Sequence, residues 1–238
     1  MCYSNSSTSS VIELEKKYGK KAPENKDIQP VFYVSGFSHP TWPIISEQAE
    51  IQTMHWGLIP NWFQGPSKSD FAKNTLNAKI ETLHEKSSFK QLISQKRCLI
   101  PSTGFFEWKS VGKEKIPFFI KVKSAPIFSI AGLFDEWFDP KIGEKYTSFT
   151  MITCPANELM EEIHNTKKRM PLILNEERAK DWIIGKELDE LMEYYKPVES
   201  EEMEAFEINK KIILSKNANC PEVQLPFKNE FYEQGSLF

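Results

Sequence analysis

Apolar positions follow two different periods along this chain. Helical spacing first occurs behind Ser9 or Ser10, either of which can cap a helix that ends at Gly19 and carries Val11, Leu14 and Tyr18 on one face. The same spacing returns over residues 89–95, over 156–164 directly behind Pro155, and over 175–195 with a break near Gly185. These segments predict helices.

Short runs rich in aromatic and β-branched residues predict strands. They cover residues 30–37, 51–59, 97–100, 105–109, 117–122, 127–133 and 148–153. The first two runs are separated by His39-Pro40 and Trp42-Pro43, which we expect to form turns. Short strands at this spacing are typical of an antiparallel meander or barrel, and together with the helices they predict the α+β class.

The chain of 238 residues is long enough to bury one substantial core. We find no repeat, low-complexity tract or linker composition, so we expect one domain over residues 1–238. The acidic run at 199–204 should be a solvated face. Residues 229–238 carry no periodic pattern and should fray.

The charge balance limits how this chain could contact a polyanion. It has 30 Lys plus Arg and 33 Asp plus Glu, which gives a net charge of -3. The field of the whole molecule therefore does not attract nucleic acid, and any such contact must come from a local patch. Only three arginines are present, Arg97, Arg169 and Arg178, so lysines must supply most phosphate contacts and sequence-specific reading is disfavoured.

The four cysteines lie far apart and form no CxxC pair. This spacing argues against a zinc site or a dithiol redox motif, and we expect no metal and no cofactor. The first twenty residues lack a signal-peptide pattern, and no window is long enough to span a membrane. We therefore expect a reduced, cytoplasmic protein with no membrane contact, associated with the nucleoid if the source is bacterial.

Cys2 is the most informative residue. Aminopeptidases usually remove Met1 before a small second residue, which would leave an amine and a thiol on one carbon frame. With reference pKa values of about 8 and about 8.5, the amine can form a Schiff base with an aldehyde and the thiol can then close a thiazolidine ring. Closure is intramolecular and therefore favoured. The alternative, that Cys2 is incidental, stays open on position alone.

Further segments mix polar groups into apolar surroundings. They are Trp56-Gly57-Leu58-Ile59-Pro60-Asn61-Trp62, Asn77-Ala78-Lys79-Ile80-Glu81-Thr82, Arg97-Cys98-Leu99-Ile100-Pro101 with Gly104-Phe105-Phe106-Glu107-Trp108, and Thr153-Cys154-Pro155-Ala156-Asn157 with Ile163-His164 and Arg169-Met170-Pro171. Together with Met1-Cys2 they resemble, in order, the SOS-response-associated peptidase family, also called abasic-site processing proteins. The resemblance runs to about Leu174. It implies one α+β domain with a barrel-like centre that binds single-stranded DNA and forms a thiazolidine with the ring-opened sugar of an abasic site.

The resemblance implies four catalytic residues, Cys2, Asn77, Glu107 and His164. An imidazole such as His164 suits proton exchange with the sugar ring oxygen, although it could equally finish a helix turn. Glu107 would shuttle protons if its carboxyl faces inward, whereas inward-facing Phe106 and Trp108 would turn it to water. Asn77 can both donate and accept hydrogen bonds, or it is an ordinary cap.

For DNA contacts we expect an aromatic platform and a set of cations. Trp62 or Phe63, beside the Pro60-Asn61 turn, would stack on a base, and Lys79, Lys167, Lys168 and Arg169 would contact phosphates. The chain departs from the family at Ser4 and Lys79, where arginine is common, and in a segment 164–170 that is about two residues longer. The changes at Ser4 and Lys79 weaken the bidentate grip on phosphate, and the longer segment leaves the exact phosphate contacts there open.

Three functions remain open from the sequence. The first is a DNA crosslinker for abasic sites in single strands, with a lyase-like Schiff base on its path. The second is a thiol peptidase with Cys2 as nucleophile and His164 as base, whose one peptidase event could be removal of Met1. The third is a non-covalent single-strand-binding module with an inert Cys2. The sequence does not identify protein partners.

Overall fold

A computed structural model describes residues 2–24, 28–184 and 196–227. In chain order the strands are β1 (Ser4–Ser7), β2 (Val31–Ser35), β3 (Thr41–Ile44), β4 (Gln52–Trp56), β5 (Asn77–Lys79), β6 (Arg97–Ser102), β7 (Gly104–Val111), β8 (Glu114–Val122), β9 (Phe128–Asp139), β10 (Glu144–Pro155), β11 (Arg169–Pro171), β12 (Ile173–Leu174) and β13 (Met203–Glu207). The α-helices are α1 (Val11–Tyr18), α2 (Lys68–Ala72), α3 (Glu158–Ile163), α4 (Glu176–Ile184) and α5 (Lys210–Ile213).

The strands form two sheets. The first has five antiparallel strands in the order β13-β8-β7-β1-β2. The second has eight, with the path β12-β9-β10-β4-β3, β6 on β9, and β5 and β11 on β10. Its β4 and β5 run parallel to β10. The α+β class is confirmed, but the sheets are not closed into a barrel.

Both sheets contribute to one main hydrophobic core. Phe105 and Ile120 of the five-stranded sheet lie in the same cluster as Leu99 and Ile130 of the eight-stranded sheet. Within the described ranges no helix is long and apolar enough to cross a membrane. That one domain spans residues 1–238 stays a prediction.

Most of the predicted elements are present. Each predicted strand run overlaps a strand, and several strands are longer than predicted. The first helix is α1, which Ser10 and Glu13 cap reciprocally and Gly19 ends in the left-handed conformation at φ 64°. The predicted helix at 156–164 is the shorter α3, and the one at 175–195 begins as α4. Its part beyond residue 184 and the expected fraying of 229–238 lie outside the described residues. Residues 200–202 of the acidic run form a 3-10 turn, and Met203 then begins β13.

Two local predictions are wrong. Trp42-Pro43 lies within β3 and not in a turn, and β3 ends the strand order of its sheet, where a proline costs no ladder hydrogen bond. Residues 89–95 form successive turns and not a helix, with Leu92 N donating to Phe89 O at 2.9 Å. Phe89, Leu92 and Ile93 are nevertheless buried, so the periodicity marked the buried face correctly.

The first strand, β1, is polar, and the pattern of apolar residues does not predict it. In β1, Asn5, Ser6 and Ser7 are buried between β2 and β7. Asn5 Oδ1 accepts hydrogen bonds from Ser102 Oγ at 2.6 Å and from the Ser6 amide at 3.0 Å. Ser6 Oγ and Thr103 Oγ1 lie 3.0 Å apart. Because buried polar groups are costly unless paired, this network fixes β1 in one position.

We predict that Ser102→Ala lowers the free energy of unfolding by about 1 to 3 kcal/mol, because it leaves Asn5 Oδ1 with one donor fewer in a dry environment. Urea unfolding followed by tryptophan fluorescence measures the loss. Ser94→Ala, at an exposed position, is the control and should change stability by less than about 0.5 kcal/mol. Equal stability of the two variants would contradict the role given to the network.

Candidate functional site around Cys2

Cys2 lies inside the protein, directly before β1. Its side chain is 1% exposed and belongs to the main core cluster. The Asn77 side-chain amide donates to the Cys2 carbonyl at 3.0 Å, and the Gly36 amide donates to the Tyr3 carbonyl at 2.7 Å. These two hydrogen bonds hold Cys2 and Tyr3, the two residues directly before β1. The fold therefore determines the position of Cys2.

The surroundings of Cys2 keep its sulfur protonated. Burial raises the pKa of the Cys2 thiol well above its ordinary value, and the negative charge of Glu107 together with a thiol hydrogen bond to that carboxylate raises it further. Glu107 is 5% exposed on β7, so its carboxyl faces inward. Of the two orientations left open by the sequence, the structure therefore has the inward one.

His164 lies on the other side of Glu107. Its Nε2 is 3.8 Å from Glu107 Oε2, and both side chains are buried. Its Nδ1 is 2.8 Å from the Arg169 carbonyl, which can only accept, so Nδ1 carries a proton and Nε2 faces the carboxylate. His164 also ends α3, so it finishes a helix turn and lies beside Glu107 at the same time.

Two buried oxygen atoms at the site have no hydrogen-bond partner within the described ranges. Among the described residues, Glu107 Oε1 and Asn77 Oδ1 accept no hydrogen bond. Buried acceptors are seldom left unpaired, and exceptions call for a functional reason. Both atoms belong to side chains that interact with Cys2, so the site offers two acceptors to a hydrogen-bond donor next to Cys2.

A cavity of about 570 Å³ opens beside this cluster. Glu107 and His164 line it together with Tyr3, whereas Cys2 and Asn77 are not among its described lining residues. The cavity follows from the sheet: β1 pairs with β7 only as far as Ser4 opposite Phe106. Beyond that pair, the Asn165 side chain bonds to the backbone of β7. Its Oδ1 accepts from the Ser110 amide at 3.1 Å, and its Nδ2 donates to the Ser110 carbonyl at 2.8 Å.

The two aromatic candidates for base stacking differ in their exposure to solvent. Trp62 is 46% exposed, with an edge contact to Phe71 at 6.3 Å between ring centroids. Phe63 is 7% exposed, packed against Phe71 and Trp137 in a separate apolar cluster. Of the two, only Trp62 is exposed enough to contact a base. Neither is among the described residues that line the cavity.

The four side chains predicted to contact phosphate differ in their exposure and in the ion pairs they already form. Lys79 and Lys167 are exposed, and Lys79 lies two residues after Asn77 on the same face of β5. Lys168 is exposed but pairs with Glu161 at 2.9 Å. Arg169 is buried and forms a bidentate pair with Glu81, so its guanidinium is already engaged. None of the four is among the described lining residues of the cavity.

Several residues at the cavity were missed by sequence reasoning. They are Tyr3, Ser110, Lys113, Lys115, Thr166 and Lys210. Burial raises the pKa of Tyr3, with contributions from Cys2 and Glu107, which places it beside the cluster. The basic hairpin Val111-Gly112-Lys113-Glu114-Lys115 was the available signal for the two hairpin lysines. In the described ranges no group of three or more His, Cys, Asp or Glu could hold a metal.

Comparison with known proteins gives one consistent result. Residues 1–214 match the family described as SOS response associated peptidase (SRAP). The abasic site processing protein YoqW of Bacillus subtilis is 40% identical over 173 residues, which is 71% of this chain and 74% of that protein. The abasic site processing protein HMCES of Gallus gallus is 32% identical over 205 residues, covering 77% and 59% of the two chains.

Solved structures agree with the sequence matches. A crystal structure of a protein from Bacteroides thetaiotaomicron has a TM-score of 0.91 and 36% identity, covering 95% of this chain and all of that one. A protein from Bordetella bronchiseptica has a TM-score of 0.77 at 21% identity, covering 87% and 100%, and shows the fold alone.

We predict that Glu107→Gln lowers the pKa of the Cys2 thiol, because it removes the negative charge that opposes thiolate formation. The measurement is the pH dependence of Cys2 alkylation by iodoacetamide in folded protein, read by peptide mass in a Cys220→Ser background. The midpoint should move to lower pH than in the parent protein. Glu114→Gln, at an exposed position on β8, is the matched control and should leave it unchanged. A midpoint that stays or rises in Glu107→Gln would refute the assignment.

Proposed function

This chain belongs to the SOS response associated peptidase family, and on that basis we propose that it processes abasic sites in single-stranded DNA by forming a covalent thiazolidine through Cys2. The relatives named abasic site processing proteins support the substrate class. The observation that carries the reaction type is the buried Cys2, held against Asn77 and Glu107, each of which keeps an unpaired oxygen.

The first step needs a free amine and an open sugar. Removal of Met1 frees the amine of Cys2, whose hydrogen atoms suit the unpaired oxygens of Asn77 and Glu107. His164 gives a proton to the ring oxygen of the abasic sugar as the carbon–oxygen bond breaks, and the C1′ hydroxyl passes its proton back to His164 as it becomes the aldehyde. The amine adds to that aldehyde, and water leaves to give the imine.

The second step closes the ring. The Cys2 thiol is protonated at neutral pH because its pKa is raised, so its proton must leave as sulfur attacks the imine carbon. Glu107, which is hydrogen-bonded to the thiol, takes that proton and returns it to the nitrogen. One aldehyde and one aminothiol thus give one thiazolidine and one water. Intramolecular attack from a fixed position favours closure over hydrolysis of the imine.

The same geometry weighs against a general thiol peptidase. Cysteine nucleophiles of hydrolases are activated by a lowered pKa, whereas burial and Glu107 raise the pKa of this thiol. The Nε2 atom of His164 faces the Glu107 carboxylate. This is the arrangement expected of a base that acts on the thiol through that carboxylate. Self-removal of Met1 is compatible with this arrangement and needs no peptide substrate in trans.

We predict that protein lacking Met1 forms an adduct with an oligonucleotide carrying one abasic site, and that the adduct survives denaturation without a reductant. Its intact mass should equal protein plus DNA minus one water. Cys2→Ala keeps the amine but lacks the sulfur, so it should give an adduct only after borohydride reduction of the imine. Cys220→Ser, at a partly exposed position, is the matched control and should react like the parent.

Two results would end the proposal. One is the absence of any adduct with fully processed parent protein. The other is a reductant-independent adduct in Cys2→Ala.

A separate test concerns base stacking. We expect Trp62→Ala to weaken binding of an undamaged single strand by about 1 to 3 kcal/mol, because the exposed ring is lost. Trp62→Phe should restore much of the affinity, and neither variant should change the melting temperature appreciably. Fluorescence anisotropy with a labelled oligothymidine reports the affinity, and unchanged binding in Trp62→Ala would exclude this residue as the platform.

A further inference from the structure

Three lysines line the same cavity as Glu107 and His164. Lys113 lies in the β7–β8 turn, Lys115 lies on β8, and Lys210 begins α5. Among the described lining residues Glu107 is acidic and these three are basic, so the cavity carries a local excess of positive charge. This excess arises on a chain whose net charge is -3.

In the part of the chain that the structure describes, none of the three lysines has an acidic partner. Among the described residues, no carboxylate lies within 4.0 Å of the ammonium groups of Lys113, Lys115 or Lys210, although many other lysines of this chain do form ion pairs. Lys168, which the sequence favoured for the same task, pairs with Glu161. Unpaired ammonium groups around a cavity are available to an anionic ligand without first breaking an internal ion pair.

The fold fixes these lysines relative to the reacting groups. Lys115 pairs directly across the ladder with Ser110, so both side chains lie on one face of the sheet. The backbone of Ser110 is in turn bonded twice by Asn165, the residue after His164. Lys210 is positioned by its neighbours on α5, because Ile213 is buried with Phe106 and Phe119 in a second apolar cluster.

We propose that Lys113, Lys115 and Lys210 bind the phosphodiester groups that flank the abasic sugar, and so hold the DNA strand while its aldehyde reaches Cys2. This inference rests on the proposed function and deepens it by naming the surface that contacts the strand. Lysine ammonium groups are point charges that bind phosphate without reading bases. The resulting recognition is independent of sequence, which suits a lesion that has lost its base.

The test compares two triple variants with the same change in charge. The first is Lys113→Gln, Lys115→Gln, Lys210→Gln. The control is Lys16→Gln, Lys180→Gln, Lys196→Gln, whose exposed lysines line a separate cavity against α1 and α4. Binding of an undamaged labelled oligothymidine is measured by fluorescence anisotropy at several salt concentrations. Melting temperatures confirm that both variants fold.

We expect Kd for the first variant to rise roughly tenfold or more near 50 mM salt, with the control close to the parent protein. Each phosphate contact on a single strand contributes about 0.7 to the slope of log affinity against log salt, so the slope should become shallower by about 2. Equal losses in the two variants would show that only overall charge matters and would overturn the proposal. So would no loss in the first variant, or no binding by the parent protein.

Crosslinking of an abasic strand by the same proteins separates the two proposals. If the parent forms the adduct but the first variant keeps normal affinity, the phosphate site is wrong and the proposed function stands. If the first variant selectively loses affinity but the parent forms no adduct, the phosphate site stands and the proposed function fails. If both hold, the first variant should crosslink more slowly at low protein concentration and approach the parent rate when DNA is saturated with protein.

Discussion

The burial of a polar strand is the constraint on which this structure depends. β1 consists of Ser4, Asn5, Ser6 and Ser7, and it lies between two other strands of the five-stranded sheet. Its side chains are compatible with that position only because Ser102 and Thr103 supply hydrogen bonds. Once β1 is fixed, Cys2 is carried into the core, and the Asn77 amide completes its placement.

The site forms where the two sheets meet. Glu107 comes from the five-stranded sheet, Asn77 from the eight-stranded sheet, and His164 from the end of α3. A thiol and a carboxylate in this dry environment keep a proton between them, which raises the pKa of Cys2. The sulfur is therefore held in its protonated, less nucleophilic form.

The cavity beside the site lies where the pairing of β1 with β7 stops. Because β1 pairs with β7 no further than Phe106, a stretch of β7 is left for Asn165 and for the cavity. The lysines of the β7–β8 hairpin line that cavity, so a chain with net negative charge still presents local positive charge next to Glu107 and His164.

The sequence by itself determined the α+β class, the family, the central strands and α1, because apolar periodicity and capping residues act locally, as Ser10 and Gly19 show. Motifs also predicted a site of Cys2, Asn77, Glu107 and His164, and these four side chains are neighbours in the structure. Tertiary structure alone decided that Glu107 faces inward, that Phe63 is buried, that Arg169 is engaged by Glu81, and that Ser4–Ser7 form a strand. Each of these outcomes depends on partners distant in sequence: a serine-rich segment has no strand propensity of its own, and alternation along a strand does not say which face meets the core.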